Sequence, residues 1–119
     1  MGVVLYDPVQ AAMMVVHCGR HTVLQEGAKK AVEFMGREAG TRAEDVLAWL
    51  SPAAGKENYP LYDLSGASLM EVVVGQLVEA GVIEAKILKS EIDTTTDADY
   101  FSHSQGDREE RFAIVGVID

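Results

Sequence analysis

The densest chemistry in the sequence is the run His17-Cys18-Gly19-Arg20-His21. Imidazole and thiolate are good zinc ligands, and a loop can aim several of them at one point. Adjacent residues of a strand point to opposite faces, so His17 and Cys18 converge only where the strand has already ended. Zinc takes three or four protein ligands in most sites, and His103 is the remaining histidine of the chain. The candidate metal ligands are therefore His17, Cys18, His21 and His103. The competing reading of the same run is a histidine at a strand end, a small buried cysteine and an exposed His21. Both readings stand at this level.

Three weaker signals accompany it. A helix starting after Gly19 would present free amides beside Arg20, which could hold a phosphate or carboxylate. No P-loop or glycine-rich fingerprint supports that site. Cys18 with His17 and His21 nearby could form a nucleophile pair, but the sequence shows neither an orienting group nor an oxyanion hole. Asp93, Asp97 and Asp99 could meet a divalent cation, yet they lack the EF-hand ligand pattern and read as a solvated loop. No residue earns a catalytic assignment on these grounds.

The elements that must position these groups follow from pattern. Val3 to Tyr6 and Ala11 to His17 are apolar, β-prone runs separated by the turn signal Asp7-Pro8. They predict a hairpin, and their continuous apolarity predicts strands covered on both faces. Thr22 and Gln25 match a capping box, predicting a helix from about Val23 to Glu38. Its Leu24, Ala28, Ala31, Val32 and Met35 would face the core, with Lys29, Lys30, Glu33 and Arg37 on the wet side and Gly40 as the stop. Val46 to Leu50 reads as a strand and Ser51 to Asn58 as a loop. Asp63 or Ser65 would cap a second helix running to Ala80, before Gly81. Leu69, Val73, Leu77 and Val78 form its stripe, widened by Met70, Val72 and Val74 toward a second buried side or a partner. Ile83 to Leu88 and Phe112 to Ile118 read as strands. An acidic stretch from Glu91 to Glu110 lies between them, anchored by Tyr100 and Phe101. The order ββαβαβ, a loop and a last β predicts helices packed on a sheet.

Composition bounds the function. The chain has 119 residues, suited to a single domain over 1–119. It is acidic, with a net charge of -9 and no basic cluster, which disfavours nucleic acid and anionic membranes. No apolar run reaches the ~18 residues that a membrane span requires. The N-terminus lacks the pattern of a signal peptide. A single cysteine excludes an intrachain disulfide, and a cytoplasmic location is expected.

In order along the chain, Val3-Val4-Leu5-Tyr6-Asp7-Pro8, Val15-Val16-His17-Cys18-Gly19-Arg20-His21 and Ser51-Pro52-Ala53-Ala54-Gly55 resemble the laccase-domain, or polyphenol-oxidase-like, family. Members carry a strand ending in Val-His-Ala-Gly-Trp-Arg-Gly, then a helix and a Gly-Pro loop. Leu61-Tyr62-Asp63-Leu64 and Leu77-Val78-Glu79-Ala80-Gly81-Val82 are similar to the family's second helix start and end. Tyr100-Phe101-Ser102-His103 and Glu110-Arg111-Phe112-Ala113 are similar to its last signature.

The resemblance implies an α+β class: a three-layer α/β/α-like domain with a mixed sheet flanked by helices. It implies zinc-dependent purine nucleoside phosphorylase activity, with adenosine deaminase activity in many members, and a metal held by two histidines and a cysteine. Of those ligands, the second histidine carries over onto His17. The first histidine would lie in a part of the family that this chain does not match, and the family cysteine would fall just before Met1. The family Trp-Arg is replaced by Arg20-His21, and Ser104 stands where an Arg follows the Ser-His pair. The expectation is a shortened, degenerate member serving as a non-catalytic binding or assembly module, associating with itself through the wide stripe of the second helix. The alternative is a purine nucleoside phosphorylase-like enzyme. It would use a zinc site rebuilt from His17, Cys18 and His21 or His103, with Arg20 or Arg111 on phosphate.

Overall fold

The computed structural model describes residues 1–53, 61, 64–90 and 114–118. Its sheet begins with the expected hairpin. Strand β1 (Gly2–Asp7) pairs antiparallel with β2 (Ala12–His17), from Gly2 opposite His17 to Asp7 opposite Ala12. The Asp7 carboxylate builds the turn: its Oδ1 accepts from the amides of Val9 at 2.9 Å and Gln10 at 3.3 Å. Strand β3 (Leu47–Leu50) lies antiparallel to β1 on its other side, and β4 (Ile87–Lys89) lies parallel to β3. The described strands form a mixed sheet in the order β2-β1-β3-β4.

Alternation along the strands divides this sheet into two different faces. Val3 and Leu5 of β1 and Ala48 and Leu50 of β3 are buried in one cluster with the helices. Val4 and Tyr6, with Leu47 and Trp49, point the other way, and Leu47 and Trp49 are exposed. The expectation that both hairpin strands are covered on both faces fails for β2. Among the described strands it lies at the edge, and its Val15 and His17 are exposed, because they stand on the outer face opposite Val4 and Gly2.

The predicted first helix is two helices. α1 (Arg20–Leu24) and α2 (Gly27–Ala39) are broken at Glu26, which takes a left-handed φ of 58°. Thr22 is inside α1 rather than capping it, and Gly19 is the uncapped N-cap. The chain doubles back tightly here. A Cβ on Gly27 would lie 2.2 Å from Thr22 Cγ2 and 2.9 Å from the Thr22 carbonyl oxygen. The break turns Leu24 outward and puts Val23 in the core instead. Beyond it the helical spacing holds: Ala28, Ala31, Val32 and Met35 are buried, and Gly40 ends α2 with φ 71°.

The second predicted helix starts later than expected. α3 (Leu69–Glu79) is capped by Ser68, whose Oγ accepts from the Glu71 amide at 3.0 Å in a full capping box. Ser65 sits in a turn with φ 58°, and Asp63 lies outside the described residues. Leu69, Val73 and Leu77 are buried as expected, while Val78 is exposed. Met70, Val72 and Val74 pack partly against the core, so much of the widened stripe is already used within the chain. Gly81 follows with φ 105°. The predicted strand from Ile83 to Leu88 begins instead with a 3-10 turn, Glu84–Lys86, and only then becomes β4.

The observed order is ββααβαβ. Ile114 to Ile118, expected within a last strand from Phe112, form no strand. The acidic stretch and its Tyr100 and Phe101 anchors lie outside the described residues, as does most of the 51–58 loop. Among the described residues, no helix is long and apolar enough to cross a membrane.

Candidate functional site

The His17 to His21 run sits where β2 passes into α1. The hairpin ladder extends one pair beyond its strands here. The Cys18 amide donates to the Met1 carbonyl at 2.8 Å, and the Met1 ammonium donates to the Cys18 carbonyl at 3.0 Å. Next to this pair, the Gly2 amide donates to Ser51 Oγ at 2.8 Å, and the Ser51 amide donates to the Gly2 carbonyl at 3.0 Å. Ser51 is fully buried and locks the end of β3 to the start of β1. The backbone that carries His17 and Cys18 is therefore held by β1.

Because the pairing persists through Cys18, strand alternation separates the two side chains. His17 stands on the outer face of the sheet, with Nε2 over Gly19, where a Cβ would be 3.2 Å away. Cys18 is wholly buried in the core cluster with Val3, Leu50 and the helices. Burial pushes the Cys18 thiol above the ordinary cysteine range, and the Met1 ammonium offsets this only in part. A core thiol held protonated is a poor ligand and a poor nucleophile. Partial burial, then the nearby Met1 ammonium, lowers the His17 pKa, so its imidazole is neutral at pH 7. The Met1 ammonium is itself depressed by burial.

Arg20 and His21 are exposed at the start of α1. His103 and Arg111 lie outside the described residues. Among the described residues, no group of three or more His, Cys, Asp or Glu side chains is placed to hold a metal ion.

Sequence reasoning missed the outer surface beside His17. Val4 and Trp49 line an open hollow of about 410 Å³ whose other wall is Ile114, Val115 and Gly116. The segment reaches the sheet through close contacts. Ile114 Cδ1 occupies the space a Gly2 side chain would need, and Gly116 lies against Met13 Sδ. The signal was present in β3, where large Leu47 and Trp49 alternate with Ala48 and Leu50.

Fold and site together define a mixed-sheet α+β domain with a histidine at the end of its second strand and a cysteine withdrawn into its core. Residues 1–64 match the sequence profile of the family described as multi-copper polyphenol oxidoreductase laccase, and the chain belongs to that family. No curated protein sequence matches it significantly. Its fold is that of two solved structures. The hypothetical protein YfiH of Bacillus licheniformis superposes with a TM-score of 0.81 at 24% identity, over 90% of this chain and 49% of that one. YlmD from Geobacillus stearothermophilus superposes with a TM-score of 0.82 at 19% identity, over 92% of this chain and 50% of that one. The chain thus spans about half the length of these relatives.

Proposed function

We propose that this chain is a laccase-family domain that keeps the scaffold and serves in binding or assembly rather than turnover. The observation that carries the reading is the separation of His17 from Cys18 across the sheet. The family resemblance calls for two histidines and a cysteine on one metal. His17 is the one counterpart among the described residues, and the thiol beside it faces the core. A lone neutral imidazole does not hold zinc tightly enough to activate water or polarise a substrate. A single cysteine, buried, suits a reducing compartment, and we place the protein in the cytoplasm.

The test is phosphate-dependent release of base from adenosine or inosine, assayed with zinc supplied. The expected result is no release above the blank. Release that depends on phosphate and is lost in His17→Ala would overturn the reading. It would favour the alternative, a purine nucleoside phosphorylase-like enzyme using His17, Cys18, His21 or His103 with Arg20 or Arg111.

A further inference from the structure

The outer face of the sheet carries the segment 114–118 across it. Ile114 Cδ1 occupies the space that a Gly2 side chain would need. Gly116 lies against β2: a Cβ there would stand 2.8 Å from Met13 Sδ, 2.9 Å from Met13 Cε and 3.6 Å from Val15 Cγ2. The segment therefore crosses from β1 to β2. Gly2 stands opposite His17 in that pair, so the crossing begins beside the candidate site. Among the described residues, no hydrogen bond joins the segment to the sheet. Val115 and Val117 are 83% and 78% exposed and add little contact. Packing fastens it, at Ile114 on Gly2 and at Gly116 beneath Met13 and Val15.

One of these contacts is open to chemistry. Of the five methionines, Met35 is buried and Met1, Met14 and Met70 pack against the core cluster, while Met13 stands outside it, half-buried on the outer face beside Val15. The other sulfur, that of Cys18, is sealed in the core. We infer that Met13 is a redox latch for the segment 114–118, which its oxidation to the sulfoxide releases from the sheet. The oxidant is a peroxide. The sulfur lone pair attacks one oxygen of hydrogen peroxide, and the S–O bond forms as the O–O bond breaks. The displaced hydroxide takes the proton of the transferred hydroxyl and leaves as water, so sulfur is oxidised and peroxide reduced. The product side chain is larger and polar. It meets Gly116 where there is no room even for a methyl group. A polar group set there without a partner favours opening by about tenfold, and no backbone pairing with the sheet opposes it. Release uncovers Gly2 and Val15 and removes the wall formed by Ile114, Val115 and Gly116 from the hollow over Val4 and Trp49. The inference goes beyond the non-catalytic reading and does not depend on it, since a chain that turned over nucleosides would carry the same latch.

The experiment treats the full chain with hydrogen peroxide and locates the added oxygen by mass spectrometry. Two readouts follow the segment. The nuclear Overhauser contact between the Ile114 δ1 methyl and the Gly2 α-protons reports the latch directly. Acrylamide quenching of Trp49, the sole tryptophan, reports the wall of the hollow. Oxygen should appear on Met13 before the core methionines, with loss of the contact, a rise in quenching and an unchanged far-UV CD spectrum. Methionine sulfoxide reductase should restore both readouts. Met13→Leu conserves volume, so it should keep the contact and make it insensitive to peroxide. Met14→Leu, on the opposite face, should stay sensitive. Ile114→Ala should raise Trp49 quenching without peroxide. If Met13→Leu fails to fold, the oxidised parent chain before and after the reductase makes the same comparison. The inference is overturned if Met14 or Met70 reacts while Met13 does not, or if the contact survives oxidation of Met13. Equal loss in peroxide-treated Met13→Leu, unchanged quenching in Ile114→Ala, or unfolding of the sheet together with the segment would also overturn it.

Discussion

The side-chain amide of Gln76 on α3 donates through Nε2 to the carbonyl of Val23, in the last turn of α1, at 2.8 Å. Its Oε1 accepts from the Ala28 amide, in the first turn of α2, at 3.2 Å. One buried side chain thus satisfies a backbone group on each side of the helix break. Amides in the first turn of a helix, such as that of Ala28, have no partner within the helix. Gln76→Leu keeps the volume and strands the Ala28 amide, while the Val23 carbonyl keeps the Glu26 amide, which donates to it at 3.1 Å. We expect it to cost about 1–3 kcal/mol, read as a lowered urea midpoint, the usual cost of one unsatisfied buried group. Gln76→Glu should also be destabilising at neutral pH, since the carboxylate cannot donate to Val23.

The break also leaves Glu26 in a left-handed conformation that a side chain disfavours by ~1 kcal/mol. Glu26→Gly should therefore raise stability by about 0.5–1 kcal/mol, whereas Gly27→Ala should lower it because its new methyl meets Thr22. Thermal melts of the two variants should move in opposite directions. A gain from Gly27→Ala would mean that the two helices can fuse into one.

This break explains what the sequence showed and what it hid. The hairpin was legible because Asp7-Pro8 punctuates two β-prone runs, and Gly40 was legible as a helix stop. Thr22 and Gln25 satisfied a local capping pattern, yet the side chain that bonds to both sides of the break is Gln76, 50 positions away from Glu26 and visible only in three dimensions. Ser68 and Glu71 carried the true start of α3 in plain view, but the earlier Asp63 and Ser65 offered the same cap chemistry. At the site, residue types alone left open whether His17 and Cys18 converge. Strand alternation flagged the conflict between His17 and Cys18, but only the pairing of Met1 with Cys18 shows that the ladder has not ended.

Asp7 gives the fold a pH dependence. Burial alone would raise its pKa, but the neighbouring Thr41 hydroxyl and the amides of Gln10 and Val9 outweigh that and hold it below the ordinary value of 3.8. Its stabilising effect is complete above the unfolded pKa near 4 and is lost as pH falls through the lower folded value. Asp7→Asn should be less stable than the parent at pH 7, with the gap narrowing between pH 4 and pH 2. A gap that is constant with pH in denaturant titrations would contradict this assignment.

The buried Cys18 thiol should resist modification. In the native chain, a thiol reagent such as DTNB should label it at least ~100-fold more slowly than in urea, because reaction needs both thiolate and access. Cys18→Ser should cost about 1–3 kcal/mol by placing an unpartnered hydroxyl in the core. Rapid native labelling would show that the thiol reaches solvent and is free to act as a ligand.

The most direct test of the account is the zinc content of the purified, tag-free protein, measured beside His17→Ala. A scaffold in which His17 and Cys18 face opposite sides of the sheet predicts far less than one zinc per chain, unchanged by the substitution. About one zinc per chain or per dimer, lost in His17→Ala, would contradict it and show that a metal centre is assembled around His17.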